Sequence, residues 1–302
     1  MPTPLSPISR ARGVLFGQVI GDNLGALVEF SDAASIRAAY PGGVRELTGG
    51  GPHYVAPGQP TDDSELALAL ARSLLRNGGF DKDDVQASYR RWAASHPFDI
   101  GNTCRAALRE PFHFDPESKS NGALMRVSPL AIAYAGAPGE AGSFARADAT
   151  FTHVNPYPGD VNAVYVAALA DVIAGADPVD ALLAHAGPLR DEVEAFTAAL
   201  PEDVQDRNGF VRHAFHLTCY HAAHATSFEE ALVEVIAMSG DTDTNAAIVG
   251  AFLGGVMGED AIPQRWRDTI TAYRPEMGGR PEEYSPHDIV ALAEGLFALS
   301  AV

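Results

Sequence analysis

Apolar residues recur at intervals of three and four along most of this 302-residue chain, the spacing that gathers them on one face of an α-helix. Alanine-rich runs strengthen that pattern, because alanine is the best helix former. The spacing predicts helices over 10–28, 64–76, 82–94, 103–109, 124–134, 141–152, 160–174, 178–186, 192–200, 211–221, 228–237, 244–257 and 286–299. Alternating β-branched runs are nearly absent, so strands should be few. No repeat of 20–50 residues and no Pro/Ser linker divides the chain. The expectation is one compact all-α domain spanning 1–302, with 1–9 flexible. Gly13, Gly17, Gly21 and Gly25 fall every fourth residue on the first helix and trace one narrow face, where missing side chains let a second helix approach closely. Glycines 250, 254, 255 and 258 should do similar packing work.

Two short polar segments interrupt the apolar pattern just where helices begin. One is Thr61-Asp62-Asp63-Ser64, the other Asp241-Thr242-Asp243-Thr244-Asn245. Plain helix capping explains one acceptor in each. Each segment nevertheless offers at least two acids, and adjacent carboxylates repel unless a dication satisfies their lone pairs. If folding brings the two together, the hard oxygen ligands suit Mg2+ or Mn2+ rather than zinc or copper. An EF-hand reading of 241–252 fails, since position six is Ala246 and position twelve is Phe252. Asp241 and Asp243 do not share a helix face, so both are expected in the turn before the helix.

Other polar residues stand in apolar surroundings. Asp22, Asn23 and Glu29 lie near the end of the first helix, and Asp99 lies on a turn before another. Residues 120–126 form a loop suited to presenting backbone amides to a sugar or phosphate. His153 at the end of a helix reads on its own as a C-terminal stabiliser. Gly49-Gly50-Gly51 reads equally as a mobile lid or an ordinary loop.

Charge and composition narrow the function. Thirty-nine acids against 21 bases leave a formal net charge of −18, which argues against a broad nucleic-acid or anionic-membrane surface. Cys104 and Cys219 supply neither a disulfide framework nor a Cys-x-x-Cys metal pattern. Residues 1–7 lack a basic apolar signal pattern, and no apolar run reaches membrane-spanning length. A cytoplasmic enzyme is expected.

The segments Gly21-Asp22-Asn23-Leu24-Gly25 with Glu29, Gly58-Gln59-Pro60-Thr61-Asp62-Asp63, Asn121-Gly122-Ala123-Leu124-Met125-Arg126, Thr152-His153 and Gly240-Asp241-Thr242-Asp243-Thr244-Asn245, in this order, closely resemble the ADP-ribosylglycohydrolase family. Phe98-Asp99-Ile100-Gly101-Asn102-Thr103 looks most like the branch typified by dinitrogenase reductase-activating glycohydrolase, which removes ADP-ribose from arginine side chains. The resemblance implies a compact all-α fold around two divalent cations, Mg2+ or Mn2+. By motif match Thr61, Asp62, Asp63 and Asp243 would hold one ion, and Asp241, Asp243 and Thr244 the other. Glu29 would contact the ribose or a water, Asn121, Gly122 and Ala123 the ribose and phosphates, and His153 a ribose hydroxyl. Asp99, with Gly101 beside it, would face the guanidinium. The implied catalytic set is Asp99, Glu29, Asp62 and Asp243; the partner is an ADP-ribosylated protein and the product ADP-ribose. Ser64 stands where the family usually has Thr. Neither 49–57 nor the stretch after Pro263 carries a readable signature. A serine-linked or other ADP-ribosyl substrate, or a silent ADP-ribose-binding protein, are the competing readings.

Overall fold

A computed structural model describes residues 5–301, and among them fifteen α-helices and no strand are present, apart from two isolated bridges. At the centre, α1 (Pro7–Gly25) lies against α13 (Thr242–Met257) along the predicted glycine face. A Cβ on Gly13, Gly17, Gly21 or Gly25 would lie 2.0–2.3 Å from a backbone oxygen of Gly254, Gly250, Ala246 or Thr242 in turn. The two backbones therefore touch directly. Gly250 and Gly254 return the contact on Gly17 and Gly13, and Gly255 meets Leu169. This ladder fixes the register of the pair, placing the end of α1 beside the start of α13.

The start of α1 differs from expectation. It opens at Pro7, capped by Ser6 accepting from the Ser9 N–H, so residues 7–9 are helical; residues 1–4 lie outside the described residues. The apolar pattern had no capping signal built into it, and Pro at the first helical position supplied one.

Around this pair are α3 (Asp62–Asn77), α4 (Lys82–Ala94), α5 (Asn102–Leu108), α6 (Ser128–Ala133), α7 (Pro138–Ala149) and α8 (Pro156–Ala174). Beyond them lie α9 (Pro178–His185), α10 (Arg190–Ala198), α11 (Val211–His224), α12 (Phe228–Ala237) and α15 (Ile289–Phe297). Several starts are capped in the ordinary way, by Asp81, Asn155, Asp177 and Ser227 accepting backbone N–H bonds.

The helix expected over 124–134 is broken: a 3-10 turn covers Leu124–Arg126 and α6 begins only at Ser128. In a continuous helix Pro129 would have no N–H to donate to the Met125 carbonyl and its ring would clash with it, so the helix restarts with Pro129 in its first turn. Two helices were not anticipated. The seven-residue α2 (Ala33–Ala39), capped by Asp32, buries only Ile36, and α14 (Gln264–Ala272) buries only Trp266 and Ile270. One or two anchors leave almost no periodic signal. No described helix is long and apolar enough to cross a membrane.

Candidate functional site

The acidic segments spend little of their carboxylate on capping their own helices, the one such bond being from the Thr244 N–H to Asp243 Oδ1 at 2.9 Å. Thr61 is the N-cap of α3 and Asp241 that of α13, yet neither side chain makes a cap bond. The start of α3 is satisfied from outside: buried Asp22 of α1 accepts the N–H groups of Thr61 (3.1 Å) and Ser64 (3.1 Å) and the Thr61 hydroxyl (2.9 Å). That frees Asp62 and Asp63. On α13, Thr242 donates its hydroxyl to the Gly25 carbonyl, tying the helix start to the end of α1. Asp243 is thus in the first helical turn, not in the loop before it as expected, while Asp241 stays outside at the cap. Asp241, non-helical at φ −83° and ψ 77° just before the helix, and Asp243 in its first turn thereby bring their carboxylates together.

The glycine ladder makes the two segments neighbours. Carboxylate oxygens of Glu29, Asp241 and Asp243 lie within 4.8 Å of one another. Asp63 Oδ2 lies 3.2 Å from Thr61 Oγ1 and 3.4 Å from Thr244 Oγ1, which link the two helix starts. Asp62 points the other way, accepting the Gly101 N–H at 3.1 Å, and faces Asp99 across the same cavity.

These groups border a cavity of about 480 Å3 lined by Glu29, Asp62, Asp99, Gly101, Asn121, Gly122, Asp241, Asp243 and Thr244 among others. Thr61, Asp63, Ala123 and His153 are buried behind its wall. His153 does not act as a helix C-terminal group: α7 ends at Ala149, and the ring is held between the hydroxyls of Thr152 (2.8 Å) and Ser120 (2.7 Å). Burial, with Arg126 nearby, pushes its pKa down to about 3, so the imidazole is neutral. Asn121 donates its own N–H to the Gly209 carbonyl and its side-chain amide to Asp241 at 2.8 Å, so it positions the acid cluster instead of offering that amide to a ligand. Arg126, fully buried, holds this wall from behind through Asp148 (2.8 Å), the Gly122 carbonyl (3.1 Å) and Thr152 (2.9 Å).

The electrostatics are those of an acidic cluster lacking a counter-charge. Burial first, then the charges of Asp99, Asp241 and Asp22, raise Glu29 to about 8; burial raises Asp22 to about 7 against the hydrogen bonds it accepts. Burial and neighbouring carboxylates push Asp62, Asp63 and Asp243 well above the usual range. Asp63 Oδ1 is buried with no hydrogen-bond partner. An orphaned carboxylate oxygen inside a ring of acids and hydroxyls is the donor set a hard divalent cation satisfies, and the residues present fit such an ion.

Sequence reasoning missed His53. The 49–57 segment is a tight hairpin closed by the Gly50–Val55 bridge, with Gly51 pressed on the Ala26 carbonyl. It sets His53 Nε2 at 3.0 Å from Glu29 and 3.6 Å from Asp99. Its only signal was a histidine behind three glycines. Also missed were Asn208 and Gly209 on the cavity wall, where irregular backbone carries no periodic pattern.

Comparison with known proteins gives consistent matches. A family model described as ADP-ribosylglycohydrolase matches residues 3–301. The ADP-ribosyl-(dinitrogen reductase) glycohydrolase of Rhodospirillum rubrum is 33% identical over 269 residues, covering 85% of this chain and 88% of that protein. The ADP-ribosylarginine hydrolase Tri1 of Pseudomonas putida is 26% identical over 89% of this chain and 76% of its own. The bovine ADP-ribosylhydrolase ARH3 is 24% identical over 88% and 90%. A solved structure described as an ADP-ribosylglycohydrolase-related protein complex superposes with a TM-score of 0.79 at 31% identity, covering 97% of this chain and 99% of that one.

Proposed function

This chain belongs to the ADP-ribosylglycohydrolase family, and from that premise we propose that it hydrolyses the N-glycosidic bond between ADP-ribose and an arginine side chain, using divalent cations. Membership makes it a glycohydrolase; the arginine linkage is the finer reading. The observation that carries it is Asp99, a largely buried carboxylate on the cavity wall beside Asp62 and Glu29, where a guanidinium can form a charge-assisted pair.

Asp63, Asp243, Thr61 and Thr244 would hold one cation, and Asp241, Asp243 and Glu29 a second. Asp62, turned toward Gly101, would add its other carboxylate oxygen to the first. When bound, Mg2+ or Mn2+ would stabilise developing negative charge, orient ribose hydroxyls and make a nearby water more acidic. Glu29 is placed to accept a proton from the attacking water. As water oxygen bonds to ribose C1, the C1–N bond breaks and the pair of electrons leaves with the guanidine nitrogen. Asp99, ionised, holds that guanidine, and the proton that Glu29 took from the water returns to the released guanidine, restoring both; a general base of this kind contributes on the order of 10^2–10^4 in rate. Gly122, kept in place by Arg126, and Ser120 line the part of the wall where the ribose and diphosphate would lie.

The test is turnover. Purified protein with Mn2+ or Mg2+ should release ADP-ribose from an arginine-linked peptide and much less from a serine-linked one. Asp243→Ala should stay folded by circular dichroism and lose this activity. Preferential cleavage of the serine linkage would overturn the assignment of Asp99, and near-normal turnover by Asp243→Ala would overturn the metal assignment.

A further inference from the structure

The mouth of the cavity is built with unusual strain. Phe30, Tyr54, His96, Arg207 and Ser239 are the non-glycine residues with positive φ among those described, and each adjoins a residue of the site. Phe30 follows Glu29, Tyr54 follows His53, His96 is two residues before Phe98, Arg207 precedes Asn208, and Ser239 precedes Gly240-Asp241. A bulky residue held at positive φ costs roughly 1–3 kcal/mol and persists only where the surroundings over-determine it. Three of the five hold one cluster. Phe30, 70% exposed, and Phe98 both stand beside the His53 ring, with centroids 6.1 and 5.8 Å from it at interplanar angles of 62° and 50°. Beneath, His53 Nε2 reaches the carboxylates of Glu29 and Asp99.

A planar nitrogen group beside two aromatic rings and a carboxylate has the surroundings that suit a guanidinium. Such a cation at this point would lie about 6 Å from both ring centroids, at the edge of the range of cation–π attraction. Its several N–H donors match the Asp99 carboxylate better than one imidazole nitrogen does.

We propose that the place His53 occupies, on Asp99 and beside Phe30 and Phe98, is the seat of the substrate's guanidinium, and that His53, which also bonds Glu29, sets selectivity there because an entering group must displace it. This rests on the arginine reading above and adds a specificity-determining residue to it. A guanidinium offsets the lost His53–Glu29 bond with charge-assisted bonds to Asp99; a hydroxyl leaving group does not. ADP-ribose itself, lacking the guanidine, does not need the seat. His53 leaves before the bond breaks, so it affects binding and not the chemical step.

Calorimetric titration of L-arginine and, separately, ADP-ribose into the Mn2+-loaded protein tests this. His53→Ala should bind L-arginine roughly 2–10-fold more tightly, the equivalent of one hydrogen bond no longer displaced. His53→Gln, which keeps a donor, should stay near wild type, and Phe98→Leu should bind arginine more weakly. All three should bind ADP-ribose within about twofold of wild type. Arginine affinity unchanged or weakened in His53→Ala, parallel changes for ADP-ribose, or no arginine binding to any form would each overturn the proposal. Turnover of an arginine-linked peptide is read beside it: arginine binding that follows the expected order without turnover sinks the hydrolase reading and leaves the seat standing.

Discussion

Single residues hold the helix ends in place, and Arg72 of α3 is an example far from the cavity. Its guanidinium donates to both carboxylate oxygens of Asp288 at 2.8 Å and to the carbonyls of Glu283 and Ser285, pinning the stretch that leads into α15. Partial burial alone would raise the Asp288 pKa, but the bonds and charge of Arg72, with His287 beside it, bring it below the usual carboxylate value. A depressed pKa contributes stability that is present above the unfolded value of about 3.9 and is lost as pH falls through the folded one. Asp288→Asn should therefore be less stable than wild type at pH 7, by about 1 kcal/mol at most for a half-exposed pair, with the gap closing below about pH 4. Urea unfolding at pH 7 and pH 3 reads it; a gap that persists at pH 3 would show that something other than this ion pair is at stake. At this scale the sequence was most legible for carboxylates, because clustered acids have few structural uses. His53 was opaque, since nothing in its local pattern says that a hairpin folds back onto Glu29. His153 stood in plain view, but its partners Ser120 and Thr152 depend on a wall that only tertiary packing makes.

At the scale of elements, the α1–α13 contact explains why the site exists at all. Each added Cβ on the ladder would land about 2 Å from a backbone oxygen on the opposite helix, which no rotamer change can relieve. Gly21→Ala should push the helices apart and destabilise by 1–3 kcal/mol or more, as overpacking of a well-packed interior does. The shift is greatest near Asp22, Glu29 and Asp243, so cation affinity should fall along with stability, measured by denaturant unfolding and metal titration. An alanine variant with wild-type stability would mean the ladder is looser than its geometry. The four-residue glycine spacing showed this packing plainly, whereas the break at Val127 and the short α2 and α14 did not show, because one proline and one or two buried anchors carry too little periodicity to register.

For the molecule as a whole, the acids gathered from 29, 62–63, 99 and 241–243 repel one another in the absence of a cation. A ligand that binds only the folded state stabilises it by RT ln(1 + [L]/Kd), about 2.7 kcal/mol at a hundredfold excess over Kd. Added Mn2+ or Mg2+ should accordingly raise the melting temperature by several degrees over chelator-treated protein. Asp243→Asn should abolish that gain while melting no lower than wild type in chelator, since it removes a repelling charge. Identical melting of the wild-type protein with and without cation would be incompatible with the proposed site. The global fold class was readable because helical periodicity covers most of the chain; the convergence of its loops was not, since it depends on register between segments some 180 residues apart.

Asp22 carries one more implication. The opening turn of α3 draws its termination from a carboxylate 39 positions upstream, on a different helix. Residues 60–80 cut out alone would have no instruction telling them where to begin coiling, and the boundary between Thr61 and Asp62 would blur. The frame in which the acids at 62 and 63 are presented is thus inherited from the amino-terminal segment, and any rearrangement of chain order that separated the two would scramble the site before it disturbed the core.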